Sequence, residues 1–192
     1  MTDDRLMIFI DGSNLEGGAN DFGTQVDCIK LVKLLSEGRK LKRAYYYGSL
    51  HPNPDEDAAI AESVTKKMGF YHMLEYNGLK TRIIPRRKRK FECKCESCKH
   101  ITTGEKFIEK GVDIALASDV LSLAAANAYD VAVIVSGDFD FREIIDSVQK
   151  QGLIVEVAYF KNQGINKEMI RLADSFIDIE TIITKIKHDK RT

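Results

Sequence analysis

The stretch MIFIDGSNLEGG, residues 7–18, decides how the fold begins. Four apolar residues, Met7 to Ile10, run directly into Asp11, and Asn14 follows three positions later. An uninterrupted apolar run is typical of a strand that is covered on both faces of a sheet. Asp11 and Asn14 are therefore either turn residues, a role that both residue types fill well, or ligands presented at the end of a buried strand.

Outward from this stretch, apolar segments of strand length alternate with segments of helical period. The predicted strands are 5–10, 41–47, 70–76, 131–135, 153–159 and 176–179, and the predicted helices are 27–35, 57–68, 112–128, 139–150 and 166–173. This alternation implies βαβ units and therefore an α/β fold with a mostly parallel central sheet and helices on both faces. Sheets of this kind bind ligands beyond the carboxyl ends of their strands, where the strand order reverses.

The length and composition favour a single domain. We expect it to span 1–180, with an excursion from the core at 77–109 and a C-terminal helix end and basic tail at 181–192. Hydrophobic residues make up 44% and charged residues 30%, which is ordinary for a globular protein. No apolar run approaches the ~20 residues that span a bilayer, and the acidic N-terminus does not resemble a secretory signal. We expect a cytoplasmic protein with no membrane partner, and a homodimer stays open beside a monomer.

Aspartates from three segments converge on one edge of the predicted sheet. The first strand ends in Asp11, the strand before SGDFDF leads to Asp138 and Asp140, and a predicted helix starts near Asp113. Carboxylates this close repel one another unless protons or cations intervene, and hard oxygen ligands select Mg²⁺ or Mn²⁺. Each aspartate alone could be a helix cap or a turn residue, but such roles do not require a shared edge.

Three blocks of the sequence also resemble a known family. IFIDGSNL, EKGVDIALASDVL and DVAVIVSGDFDF are similar, in this order, to the signature blocks of NYN domains, which belong to the PIN-like nuclease superfamily. The likeness is closest to the LabA-like bacterial branch and covers about residues 5–160. It implies a three-layer α/β/α Rossmann-like (PIN-like) fold, an acidic pocket for Mg²⁺ or Mn²⁺, and ribonuclease activity on RNA.

The resemblance also implies roles for individual residues. Asn14 and Ser136 would be supporting polar residues that orient a ligand or the substrate phosphate. Asp119 lies six residues beyond Asp113, which at 100° per residue places it well around the helix, so it is a weaker candidate. The resemblance assigns metal-ligand and catalytic roles to four aspartates, Asp11, Asp113, Asp138 and Asp140.

A dense basic run lies in the excursion, within LKTRIIPRRKRKF. Since Lys plus Arg equals Asp plus Glu at 29 each, a nucleic-acid partner must be attracted by a local patch such as this one. The run is either a solvated loop or a binder of phosphate backbones, and the carboxylate site favours the second interpretation, with RNA as the partner. Tyr71, Tyr76 and Phe91 are candidates for stacking on bases. The predicted substrate-binding residues of the run are Arg86, Arg87, Lys88, Arg89 and Lys90.

A cluster of cysteines follows the basic run. Cys93, Cys95, Cys98 and His100 form C-x-C-x₂-C-x-H, a ligand set suited to Zn²⁺. Only one C-x₂-C pair has the usual spacing, and one segment wrapped this tightly around a tetrahedral ion would be strained. Free thiols, oxidised thiols or a site completed by a second chain therefore stay open. Cys28, in an apolar helix, is expected to be a small buried residue.

Three functions compete at this point. The first is a metal-dependent ribonuclease, with the four aspartates holding the ion and the basic run holding the RNA. The second is a non-catalytic RNA-binding or regulatory module on the same scaffold. The third is a phosphohydrolase acting on small phosphate esters, which leaves the basic run unexplained. Neither a nucleophile-elbow serine nor a P-loop lysine is present at the required spacing.

Overall fold

Strands and helices alternate along the chain in a computed structural model that describes residues 4–53, 57–94 and 101–188. The strands in this part of the chain are β1 (Arg5–Asp11), β2 (Lys40–Leu50), β3 (Lys80–Pro85), β4 (Arg87–Lys94), β5 (Ile101–Ile108), β6 (Val131–Val135), β7 (Ile154–Tyr159) and β8 (Ser175–Asp178). The helices are α1 (Gly12–Asp21), α2 (Cys28–Leu35), α3 (Ala58–Tyr76), α4 (Val112–Ala125), α5 (Arg142–Gln149), α6 (Lys167–Leu172) and α7 (Ile179–Ile186). A 3₁₀ turn, Phe139–Phe141, leads directly into α5.

Six of the described strands form one central sheet in the order β3-β2-β1-β6-β7-β8, and each strand runs parallel to its neighbours. The chain first builds outward from β1 to β3, then crosses back to β6 and continues outward to β8. The order therefore reverses between β1 and β6, and the crevice at their carboxyl ends is the expected place for a ligand. The predicted α/β fold with a mostly parallel sheet is confirmed.

The two central strands are buried on both faces. Ile8, Phe9 and Ile10 of β1 and Val133 and Ile134 of β6 have no solvent exposure. Helices cover the sheet and pack against one another, α4 against α5 and α2 against α7. Complete burial contributes roughly 1.5–3 kcal/mol for each large apolar side chain. The strand ends that carry the candidate site therefore emerge from a fully buried part of the core.

Helix α1, which follows β1 directly, was not predicted. Its sequence, GSNLEGGAND, contains three glycines, and glycine disfavours helices by about 1 kcal/mol relative to alanine. Two of them permit close packing: a Cβ at Gly18 would lie 2.6 Å from the Tyr159 hydroxyl, and a Cβ at Gly12 would lie 2.3 Å from the Tyr46 ring. The helix therefore forms because it packs tightly on these tyrosines, although its own sequence favours it weakly.

The predicted strand at 70–76 is wrong, because α3 continues through it to Tyr76. Aromatic residues are enriched in strands, which suggested the wrong element. In the structure Tyr71 and Leu74 are buried one helical turn apart, and Phe70 packs edge-to-face on Tyr46 at 5.4 Å. The Tyr71 hydroxyl donates to a backbone carbonyl of β2, so this buried side chain is not placed to stack on a base.

The excursion expected at 77–109 is narrower in the structure. Strand β3 joins the central sheet as the parallel neighbour of β2. Strands β4 and β5 form a separate antiparallel pair, in register from Arg87 opposite Ile108 to Lys94 opposite Ile101. We call this pair the basic ribbon. The domain limits of 1–180 and 181–192 stay predictions, and α7 runs across position 180.

None of the helices in the described ranges has the length and apolar character needed to cross a bilayer. The cytoplasmic location and the choice between a monomer and a homodimer stay predictions.

Candidate metal and RNA site

Asp11 occupies the carboxyl end of β1 and also caps α1. Its Oδ1 accepts the backbone N–H of Asn14 at 3.1 Å and lies 3.1 Å from Ser13 Oγ, while Ser136 Oγ donates to its Oδ2 at 3.2 Å. The residue is only 2% exposed. Burial raises the pKa of Asp11 to about 6; the charge of Asp113 adds to the rise, and the three hydrogen bonds oppose it. Asp11 is therefore a firmly held carboxylate in an environment that disfavours its charge.

The loop after β6 is tied to the end of β1. Ser136, which is completely buried, accepts the Asp138 N–H at 3.2 Å on the same Oγ that donates to Asp11. Asn14 Oδ1 accepts the Gly137 N–H at 2.8 Å. The structure thus places both predicted supporting residues, Asn14 and Ser136, as links between the two central strand ends.

Asp138 and Asp140 project from this linked loop. Asp138 caps the 3₁₀ turn, with its Oδ1 accepting the Asp140 N–H at 3.0 Å. Asp138 is half-buried and Asp140 is exposed. The Asp138 carboxylate is therefore held by the loop, while the Asp140 carboxylate is open to a ligand.

Asp113 lies in the first turn of α4, which begins after Gly111 in the left-handed region (φ 95°). Burial raises the pKa of Asp113, and the charges of Asp138, Glu109 and Asp140 raise it further, in that order. Mutual repulsion of this kind requires that the carboxylates share one region of space. Asp113 therefore lies within electrostatic range of the other three predicted aspartates and of a fifth acid.

Glu109, at the end of β5, was missed from the sequence. Its Oε1 lies 2.5 Å from Ser13 Oγ, and its Oε2 accepts a hydrogen bond from Ser49 Oγ, which in turn accepts one from Arg86 Nε at 3.1 Å. Glu109 thus connects the hydroxyl beside Asp11 to the point where the basic ribbon leaves the central sheet. Its position four residues before Asp113, inside the EKGVD block, is the signal that could have identified it.

Asp119 is bound by partners outside this group of acids. The Tyr47 hydroxyl donates to its Oδ2 at 2.9 Å, and Arg82 Nε lies 3.2 Å from the same oxygen. Its charge is therefore matched by a neighbouring cation. This pairing agrees with the sequence analysis, in which the helical spacing made Asp119 a weaker candidate for the metal site.

The donor set suits a hard divalent cation. Among the residues that the structure describes, no three His, Cys, Asp or Glu side chains are gathered closely enough to hold an ion. Mg²⁺ commonly binds through one or two carboxylates and completes its shell with waters and substrate phosphates. Fixed carboxylates at Asp11 and Asp138, with exposed ones at Asp113 and Asp140, fit that mode of binding better than an all-protein cage.

The cations of the basic run differ in their surroundings. Arg86 is half-buried, and its backbone N–H donates to Leu50 O at 2.8 Å while its guanidinium binds Ser49. Lys88 forms an ion pair with Glu105 at 2.6 Å. The remaining three residues of the predicted set are exposed: Arg87, Arg89 and Lys90.

The predicted zinc ligands cannot be placed in this description. Cys95, Cys98 and His100 lie outside the described residues, as does the side chain of Cys93 in β4. The zinc hypothesis therefore stays a prediction. Cys28 is buried, and burial raises the pKa of its thiol to about 12, in keeping with a small apolar role.

The link between the central strand ends can be tested with Asn14→Ala. This change leaves the Gly137 N–H without its acceptor, and an unpaired donor of this kind costs about 1–3 kcal/mol of unfolding free energy. We expect that loss in urea unfolding experiments. Asn20→Ala, at an exposed position of the same helix, is the control and should change stability by less than about 0.5 kcal/mol. Equal losses in both variants would contradict a linking role for Asn14.

Comparison with known proteins agrees with this fold. The family model described as the NYN domain matches residues 5–180. The fold is similar to the crystal structure of a Vibrio parahaemolyticus protein of unknown function, with a TM-score of 0.70, 17% sequence identity and coverage of 97% of each chain. At this identity the likeness shows the fold alone. No curated protein matches the sequence.

Proposed function

The chain belongs to the NYN domain family, whose members are generally nuclease-like, and on that premise we propose that it is a metal-dependent ribonuclease that hydrolyses RNA phosphodiester bonds. One observation carries the proposal. At the point where the strand order of the parallel sheet reverses, β1 ends in Asp11, the loop after β6 carries Asp138 and Asp140, and α4 begins with Asp113. Burial, and after it the charges of neighbouring acids, raises the pKa values of Asp11 and Asp113. The narrower placement in the LabA-like branch stays a prediction.

Asp11, Asp113, Asp138 and Asp140 are the residues that would hold Mg²⁺ or Mn²⁺. Such an ion, when bound, supplies charge stabilisation at the scissile phosphate and activation of a water. Hydrogen bonds fix Asp11 from three sides and set the direction of Asp138. Asp113 and Asp140 are exposed, so both can reach a substrate that approaches the edge of the sheet.

The basic ribbon supplies the positive charge that RNA binding requires. A cluster of carboxylates repels RNA, so a phosphate-binding surface of opposite charge must lie close to it. The ribbon leaves the central sheet at Arg86, and Arg86 is connected through Ser49 to Glu109 beside the acids. The exposed arginines of β4 therefore extend from the border of the candidate site.

The test is cleavage of labelled single-stranded RNA in Mn²⁺, in Mg²⁺ and in EDTA. We expect cutting in at least one of the two metals and none in EDTA. Salt-sensitive RNA binding without cutting in either metal would favour the non-catalytic RNA-binding module. Hydrolysis of a generic phosphate ester, with RNA left intact, would favour the phosphohydrolase.

Glu109→Gln tests the fifth acid. The substitution removes the negative charge that Glu109 places near Asp113. It also weakens the hydrogen bonds that Glu109 accepts from the Ser13 and Ser49 hydroxyls. Partners that orient metal ligands typically contribute about 10–100-fold to metal affinity or activity, and we expect a loss of this size in kcat/KM with a higher Mn²⁺ requirement. Glu105→Gln removes an equal charge from the exposed ion pair with Lys88 and is the matched control. A full Mn²⁺ response in the Glu109 variant would exclude a positioning role.

A further inference from the structure

The side chains of the basic ribbon alternate between two faces, as they do in any antiparallel pair. One face carries Lys88 and, from β5, Glu105 and Phe107. Lys88 pairs with Glu105, its Nζ lies 6.0 Å from the centre of the Phe107 ring, and that ring contacts the His51 ring at 4.0 Å. On this inner face Lys88, Glu105 and Phe107 are therefore engaged by an ion pair and by contact with the body of the domain, while Lys90, opposite Glu105, is exposed.

The opposite, outer face is built around Phe91. In the register of the ribbon, Phe91 lies opposite Gly104 and Arg89 lies opposite Lys106. A Cβ at Gly104 would come within 2.7 Å of the Phe91 ring, so the ring rests directly on the backbone of the neighbouring strand. Phe91 is nevertheless 38% exposed. The glycine thus lets an aromatic ring lie on the ribbon while part of it faces solvent.

One cation lies over this ring, and two more follow on the same face. Lys106 Nζ lies 5.9 Å from the ring centre, and Arg89 and Arg87 follow on the same face toward the central sheet. Within the part of the chain that the structure describes, neither arginine has an acidic partner. The outer face therefore combines two arginines that have no acidic partner with an exposed aromatic ring, whereas the inner face has one exposed cation, Lys90, and a half-buried ring, Phe107.

This combination distinguishes between forms of nucleic acid. Cations track the phosphate backbone, and an aromatic side chain stacks on an unpaired base at about 1–3 kcal/mol per base, with little preference for sequence. A double-stranded RNA helix keeps its bases stacked inside and offers mainly phosphates and 2′-hydroxyls. A surface that served only to neutralise a duplex would not need an exposed ring.

We propose that the outer face of the basic ribbon is a stacking platform for single-stranded RNA, with Phe91 taking an unpaired base and Arg87, Arg89 and Lys106 contacting the adjoining phosphates. The inference rests on the proposed function and assigns it a substrate class. It also divides the basic run: Arg89 binds RNA, whereas Lys88, one residue away, serves the ion pair on the inner face. Lys106, which lies outside the run, joins the binding surface.

The chain contains no tryptophan, so a single substitution gives a specific optical signal. In Phe91→Trp, a short oligouridylate added in EDTA should quench the fluorescence, and an RNA duplex of the same length should quench it far less. Phe107→Trp, on the inner face, is the control and should respond to neither. Absence of quenching in Phe91→Trp while the oligouridylate is bound, or equal quenching in both variants, would overturn the platform.

A pair of charge variants provides a second test that does not depend on the aromatic residue. Arg89→Ala and Lys88→Ala each remove one positive charge from adjacent exposed positions. We expect Arg89→Ala to weaken oligouridylate binding about tenfold and to reduce the slope of log K against log salt concentration by about 1, the value of one phosphate contact. The affinity of Lys88→Ala should stay within about twofold of the parent. Equal losses would overturn the division between faces. Tighter binding of polyglutamate than of oligouridylate would overturn RNA as the partner.

These measurements separate the two proposals. Binding is followed in EDTA, where no metal-dependent cleavage occurs. Quenching without any cleavage in Mn²⁺ would remove the ribonuclease and keep the platform. Cleavage of duplex and single strand at equal rates, without quenching, would keep the ribonuclease and remove the platform.

Discussion

Asp138→Asn is expected to lower metal-dependent RNA cleavage by roughly 100- to 1000-fold, the loss typical when one preorganised electrostatic group is removed from an active site. Asparagine keeps an oxygen that can accept the Asp140 N–H, so the 3₁₀ turn retains its cap. The substitution removes the negative charge and little else. The measurement is the rate of cleavage of labelled single-stranded RNA in Mn²⁺, with circular dichroism to verify folding.

The chain offers a closely matched control in Asp178→Asn. Asp178 ends β8, an edge strand of the same sheet, and its Oδ1 accepts the Glu180 N–H at 3.0 Å, as Asp138 Oδ1 does for Asp140. Both variants therefore replace a capping aspartate at the end of a parallel strand. Only Asp138 lies among the other acids, so only its variant should lose cleavage. If both variants cut RNA as the parent does, Asp138 is a structural cap and nothing more.

The second large effect concerns stability and pH. The Asp11 carboxyl has a pKa of about 6 in the folded protein, against 3.8 for an unperturbed aspartate. The folded state therefore holds the Asp11 proton at pH values where the unfolded chain has released it. This contribution is fully present below about pH 4 and is lost as the pH rises through 6. The difference between the two pKa values corresponds to about 3 kcal/mol of unfolding free energy.

We expect urea unfolding in EDTA to show this loss between about pH 4 and pH 7 in the parent. Asp11→Asn cannot ionise, so the difference between parent and variant isolates Asp11 from the other titrating groups. Mn²⁺ should restore stability to the parent at pH 7, by about 2.7 kcal/mol when its concentration is 100 times its dissociation constant, and should restore less to the variant. Parallel pH curves for the two proteins would show that burial does not penalise the Asp11 charge.

Much of the fold could be predicted because β1 and β6 are apolar without interruption, and such runs indicate strands covered on both faces. The same reasoning predicted that Asp11 and Asp138 share one edge, since parallel strands align their carboxyl ends. Helix α1 could not be predicted in this way. Its glycines argue against a helix, and two of them, Gly12 and Gly18, are explained only by close packing on the distant Tyr46 and Tyr159.

Residues that act through side chains from distant segments were also beyond local patterns. Glu109 gains its place from Ser13 and Ser49, which lie 96 and 60 positions away along the chain. The division of the basic run into Lys88 and Arg89 faces requires the register of β4 against β5, which composition does not contain. The sequence could thus predict which residue types meet at the site, whereas the pairing of individual atoms depends on the folded chain.

The link between Asp11 and Ser136 joins positions 125 residues apart. Contacts at such separation form slowly, because the intervening chain must first be brought together. During synthesis, β1 leaves the ribosome long before β6 exists, so an emerging chain contains Asp11 but not its partners. The incomplete polypeptide cannot assemble the acidic centre. The proposed cleavage of RNA therefore requires that the chain has been synthesised through β6 and the loop that follows it.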